Sequence, residues 1–160
     1  MSDVLCIYYS RSGNTKKAME EVAEVLGAEL VQLHDTVSRR NAIQCGLDAM
    51  RRTLRPIRQF VTERPLGEYR LVIIGTPIWA GRCAPVVRAF LKEHGKELND
   101  VAYLVTRGTE NKYEEVYWQM DQYVPNEHRA AGSLRSGSVG YTFWQEEFLR
   151  QVQDCLGTEG

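Results

Sequence analysis

Val4-Leu5-Cys6-Ile7-Tyr8-Tyr9 is a continuous apolar run with no polar alternation. That is the pattern of a strand covered on both faces, as in the interior of a parallel sheet. Leu71-Val72-Ile73-Ile74 and Val101-Ala102-Tyr103-Leu104-Val105 repeat it, and Glu29 to Leu33 reads as a further strand. Helical spacing lies between these runs. Asn14 to Leu26 places Ala18, Val22, Val25 and Leu26 on one stripe ahead of Gly27, where a C-terminal cap belongs. A second helix is expected from about Pro85 to Gly95, a third from Lys112 to Tyr123 through Val116 and Met120, and a fourth from Phe143 to Leu156 through Phe148 and Val152. The fifth strand has the weakest signal, somewhere in His128 to Leu134, because Gly132 and the serines dilute its apolar character. Strand and helix alternate five times, which predicts an α/β fold with an open, doubly wound parallel sheet and right-handed crossovers. Such sheets bind ligands beyond the carboxyl ends of their strands, where the strand order reverses. The loops that matter are therefore 10–15, 76–83 and 106–112.

A chain of 160 residues is about the length of one domain and buries enough surface to fold without staples. One domain over 1–160 is expected, with an insertion at about 36–65. The net charge of -1 and the 26% charged content give no global nucleic-acid footprint. Cys6, Cys45, Cys83 and Cys155 are far apart, without zinc or C-x-x-C spacing, and read as reduced thiols. The start of the chain shows no secretory pattern and no apolar run approaches the ~20 residues of a membrane span. The cytoplasm is the expected location.

The first loop, YYSRSGNT at residues 8–15, gathers hydroxyls around a glycine where a strand meets a helix. A helix start carries unpaired N–H groups and a partial positive charge, so added hydroxyl donors suit a phosphate monoester. Ser10, Ser12 and Thr15 would donate, while Gly13 and Asn14 let the backbone curl closely. The plainer reading is that Ser12 or Asn14 caps the helix. Rival phosphate loops fit poorly. No G-x-x-x-x-G-K-[ST] string occurs, and only Gly13 of a G-x-G-x-x-G fingerprint is present. A C-x5-R phosphatase loop would need one more residue between Cys6 and Arg11, and Cys6 lies inside the strand.

Ser10-x-Ser12-Gly13-Asn14-Thr15 after an apolar first strand resembles the phosphate loop of the flavodoxin-like proteins. Gly75-Thr76-Pro77-Ile78-Trp79-Ala80-Gly81, followed by Ala84 to Leu91, resembles the flavin-ring loop and next helix of that family. The resemblance implies a five-stranded sheet of order 2-1-3-4-5 and a noncovalent flavin mononucleotide (FMN). It assigns the phosphate to Ser10, Arg11, Ser12, Gly13, Asn14 and Thr15. The ring falls to Thr76, Pro77, Ile78, Trp79, Ala80 and Gly81, and to Thr106, Arg107 and Gly108 of the third loop. Trp79 would stack on the ring or else pack under its own loop, and Gly81 would let backbone approach the ring's edge. The third loop departs from the family's small or aromatic residues. Arg107 there would either stabilise negative charge on reduced flavin or point into solvent, and Tyr113 is a second platform or a core residue.

Residues 38–64 hold seven arginines against Asp48 and Glu63. Ile43, Leu47, Met50, Leu54 and Ile57 recur at steps of four and three, the stripe of an amphipathic helix. It is a solvated face, a dock for an acidic redox partner, or a cover for the flavin. No general acid or base stands out, and no metal spacing. Electron transfer through FMN, to a partner protein or a small acceptor, is the leading expectation. An NAD(P)H-dependent FMN or quinone reductase is the alternative, and a flavin-free binding module or a phosphohydrolase is the reading from other classes.

Overall fold

The computed structural model describes residues 2–35 and 57–158. Its strands are β1 (Val4–Tyr8), β2 (Glu29–Gln32), β3 (Leu71–Trp79), β4 (Arg82–Cys83), β5 (Asp100–Arg107) and β6 (Ala130–Arg135). Its helices are α1 (Asn14–Leu26), α2 (Pro85–His94), α3 (Glu115–Asp121) and α4 (Tyr141–Thr158). The long strands are parallel in the order β2-β1-β3-β5-β6, and β4 folds back antiparallel on β3. With the two-residue β4 set aside, this is the expected 2-1-3-4-5 order. Strand order reverses between β1 and β3, so the switch point lies beyond Tyr8 and Gly75, which pair with each other.

Side chains of a strand alternate between faces, and the two faces have separate cores. Leu5, Ile7, Val72, Ile74, Val101 and Tyr103 pack with Phe90 and Leu91 of α2 and Val116 and Met120 of α3. Cys6, Leu71, Ile73, Ala102 and Leu104 pack with Met19 and Val22 of α1 and Phe148 and Val152 of α4. Helix α1 packs tightly on the sheet at Gly75, where an added Cβ would sit 2.6 Å from Met19 Cγ and 3.0 Å from Tyr8 Cβ. That contact fixes the height of the helix start over the switch point.

Three elements differ from the sequence reading. Strand β3 runs on through Thr76, Pro77, Ile78 and Trp79 instead of opening into a loop at Gly75. Pairing of Gly75, Thr76 and Pro77 with Leu104, Val105 and Thr106 of β5 carries it there, and proline is tolerated because it lies near the end of the ladder. Helix α3 starts at Glu115, not Lys112. Tyr113 has φ 55 and its N–H donates to Asn111 Oδ1 at 2.9 Å, a local turn that competes with helix. The amphipathic helix expected over Ile43 to Leu54, with most of its arginines, lies outside the described residues. Ile57, at the end of that stripe, instead forms an antiparallel bridge with Asp35. From there the chain straps the β2 side: Arg58 N–H donates to His34 O at 3.1 Å, Glu63 N–H to Glu29 Oε2 at 2.9 Å, and Arg64 pairs with Asp3.

The segment entering β6 is pinned by one carboxylate. Asp121 accepts from Tyr103 Oη at 2.7 Å, His128 N–H at 3.1 Å and His128 Nδ1 at 2.8 Å. Among the described residues no helix is long and apolar enough to cross a membrane.

Candidate functional site

Loop 10–15 joins β1 to α1 at the switch point. Gly13 takes φ 98 as the residue before the helix, a conformation that favours glycine. Its N–H donates to Ser10 Oγ at 3.1 Å, so Ser10 shapes the loop from within. The first helical bond runs from Lys17 N–H to Gly13 O at 3.0 Å. The N–H groups of Asn14, Thr15 and Lys16 thus precede the helix's own ladder, and among the described residues no side chain caps them. The capping role open to Ser12 or Asn14 is not taken. Arg11, Ser12, Gly13 and Asn14 are exposed. The first turn contains no acid but does contain Lys16 and Lys17, an arrangement that the helix dipole disfavours in the absence of an anion.

Thr15, expected to donate to a phosphate alongside Ser10 and Ser12, is turned inward. It is buried, and its Oγ1 shares a 2.7 Å hydrogen bond with Oγ1 of Thr106, also buried. The first turn of α1 crosses the end of β5, and two buried hydroxyls there satisfy each other. Both threonines join the first and third loops instead of lining an open surface.

The second loop is a hairpin. Ile78 pairs with Cys83 and Trp79 with Arg82, leaving the two-residue turn Ala80–Gly81 with φ 51 and φ 72. Positive φ at both turn positions is the type I′ hairpin, whose twist matches that of the strands. Ala80 holds this left-handed position at a cost of roughly 1–2 kcal/mol. Thr76 is buried, donates to Pro77 O at 2.9 Å and accepts from Ala84 N–H at 2.9 Å, which ties β3 to the start of α2. Trp79 is only 9% exposed, with its ring edge-on to Tyr9 at 5.7 Å and 86°. It supports the hairpin from beneath and is not an open platform. Pro77 and Ile78 are half-buried, and Ala80 and Gly81 form the accessible tip.

In the third loop Arg107 is not free in solvent but held by hydrogen bonds. Its Nε donates to Ser133 Oγ at 2.8 Å and its Nη1 to Thr109 O at 2.5 Å, while Ser133 Oγ donates to Lys112 O at 2.8 Å. Gly108 is exposed beside it, and Tyr113 is half-buried against the core of the α2 and α3 face. Sequence reasoning missed Tyr9 and Ser133, the supports of Trp79 and Arg107. Tyr9 reads as the tail of a strand, and Ser133 sits in the strand with the weakest signal. Burial pushes the Cys6 thiol up to about 12, which removes it as a nucleophile. Burial likewise lifts Cys83 to about 11, against the pull of Arg88 and Arg82.

The arrangement offers backbone donors and cations at a helix start, a tight hairpin tip and a fixed guanidinium, all at one end of the sheet. No family model matches the sequence, and no curated protein matches it either. Solved structures do match. A flavoprotein from Lactobacillus acidophilus NCFM, crystallised in complex with FMN, superposes with a TM-score of 0.66 at 20% identity over 90% of this chain and 99% of that one. The flavodoxin, WrbA-like protein from Agrobacterium tumefaciens gives 0.57 at 15% identity over 96% and 99%. Oxidised flavodoxin 1 from Bacillus cereus gives 0.56 at 11% identity over 92% and 95%. The chain has the flavodoxin-like fold.

Proposed function

We propose that this chain binds FMN noncovalently and passes electrons through it. The observation that carries the reading is the start of α1, uncapped by any side chain among the described residues and cationic, placed where the strand order reverses. The N–H groups of residues 14–16 with the Ser12 hydroxyl would hold the phosphate, and Lys16 and Lys17 would balance its charge. The Ile78–Gly81 hairpin tip and the Thr106–Gly108 loop would hold the ring. Thr15 and Trp79 set the positions of these loops from below. FMN supplies the one- and two-electron chemistry, and the protein supplies placement and electrostatics. Fixed cations at the rim, Arg107 foremost, favour added negative charge, so the reduction potential should be less extreme than that of a strongly acidic carrier.

Titration of the apoprotein with FMN and with riboflavin tests this. FMN should bind about a hundredfold more tightly, as expected for two charge-assisted hydrogen bonds at about 1.5 kcal/mol each. Equal affinity for both, or none for either, would overturn the phosphate assignment. Adding NADH or NADPH without oxygen then separates two roles: bleaching identifies a reductase, and persistence of the oxidised spectrum identifies a carrier served by a partner protein.

A further inference from the structure

We propose that Ser133 is a positioning residue for Arg107, fixing its guanidinium so that the site holds reduced FMN more tightly than the oxidised form. The inference rests on the reading above, in which the Thr106–Gly108 loop holds the flavin ring. Strands β5 and β6 run parallel, with Val105 opposite Ser133 and Arg107 opposite Arg135. Side chains two residues apart on a strand share a face, so Arg107 reaches diagonally back to Ser133 from the carboxyl end of β5. Its Nε donates to Ser133 Oγ at 2.8 Å, while Nη1 donates to Thr109 O. Ser133 is buried, and its Oγ donates to Lys112 O at 2.8 Å. A serine hydroxyl has a single proton to give. With that proton committed to Lys112 O, a lone pair of Oγ faces Arg107, and the guanidinium is oriented as well as attached.

Arg107 and Arg135 are direct cross-strand neighbours, a like-charge pair that costs stability. Among the described residues neither forms an ion pair with a carboxylate. The acids of the third loop, Glu110 and Glu114, are exposed, where water and salt screen their charge. Arg107 is half-buried and held by protein atoms on two sides. An oxidised isoalloxazine ring is neutral, and the gain of two electrons and one proton leaves it with one negative charge. A cation already fixed beside the ring needs no reorganisation when that charge arrives, so it favours the reduced form. Lysine could not take its place, because it lacks the planar fork that reaches Ser133 and Thr109 together.

Affinities for oxidised FMN and for FMN reduced with dithionite, measured on the full chain without oxygen, test this. Their ratio is a shift in potential, a tenfold change being about 30 mV for two electrons. Arg107→Gln should lower the reduced-to-oxidised affinity ratio by about tenfold, and Ser133→Ala by about threefold or more. Ser133→Thr should stay within about twofold of the wild type, since threonine keeps the hydroxyl's donor and acceptors. In the apoprotein the Arg107 Nε proton, identified by its loss in Arg107→Gln, should exchange with solvent at least about tenfold faster in Ser133→Ala. A purely structural Ser133 would lower the melting temperature and both affinities together and leave their ratio unmoved. That result, or slow Nε exchange that persists in Ser133→Ala, would overturn this inference alone. Failure of the wild type to bind FMN in either state would overturn the underlying reading and this inference with it.

Discussion

The Thr15–Thr106 hydrogen bond is the link between the first and third loops that can be cut from either side. Replacing one threonine by valine keeps the shape and removes one hydroxyl, which strands the other in a buried position. A buried hydroxyl without a partner costs roughly 1–3 kcal/mol, whereas replacing both members of a pair with apolar groups of similar shape is close to neutral. Thr15→Val and Thr106→Val should therefore each destabilise by about 2 kcal/mol, and the double variant by less than about 1 kcal/mol, a coupling of about 3 kcal/mol. With a urea m-value of about 2 kcal/mol/M, each single variant should shift the midpoint by about 1 M and the double variant by less than half of that. FMN affinity provides a second readout. If Thr15 acts by positioning, the double variant recovers affinity lost in the singles, because the loops can pack again. Additive midpoint shifts would refute the reasoning about the bond, and failure of the double variant to recover FMN affinity would show that Thr15 donates to the ligand directly.

Gly75→Ala should cost about 1–3 kcal/mol, since Met19 is fully buried and cannot swing away from the added methyl; pairing it with Met19→Ala should recover part of the loss in urea unfolding. Asp121→Ala should lower stability by about 2–4 kcal/mol, because it leaves the Tyr103 hydroxyl and the His128 ring without their hydrogen-bond acceptor, and an unchanged midpoint would contradict that. Both Cys6 and Cys83 are held above their ordinary range, to about 12 and about 11. The native state therefore keeps protons that the unfolded chain releases above about pH 9, so stability is full below that pH and falls as pH rises through 11 to 12. Cys6→Ala should flatten that fall, as measured by unfolding midpoints across alkaline pH.

The limits of α1 were legible because both ends are written locally, in Gly13 before the helix and Gly27 after it, each with positive φ. The long buried strands were legible because continuous apolar runs leave few alternatives. What escaped the sequence reading is set by neighbours far along the chain. Strand β3 continues past Pro77 because Thr106 pairs with it, and no local signal announces that. Strand β6 forms despite Gly132 because Phe148 of α4 packs against that position, 3.0 Å from where a Cβ would stand; close packing overrides weak propensity. At the site, the loops were placed correctly at one end of the sheet, but side-chain direction was not readable. Whether Thr15 faces outward depends on where α1 crosses β5. Whether Trp79 is open depends on Tyr9, and the hold on Arg107 depends on Ser133.

The bare start of α1 has a bearing on how such chains diverge. A helix beginning that meets its ligand through main-chain N–H groups asks little of the side chains around it beyond the glycine that turns the backbone. Substitutions can therefore accumulate at neighbouring positions while the donors stay where the fold holds them. If the start of α1 holds a phosphate as proposed, a recognition surface written in backbone would keep its shape while its spelling drifts, and the solved structures match this chain in fold at 20% identity or less.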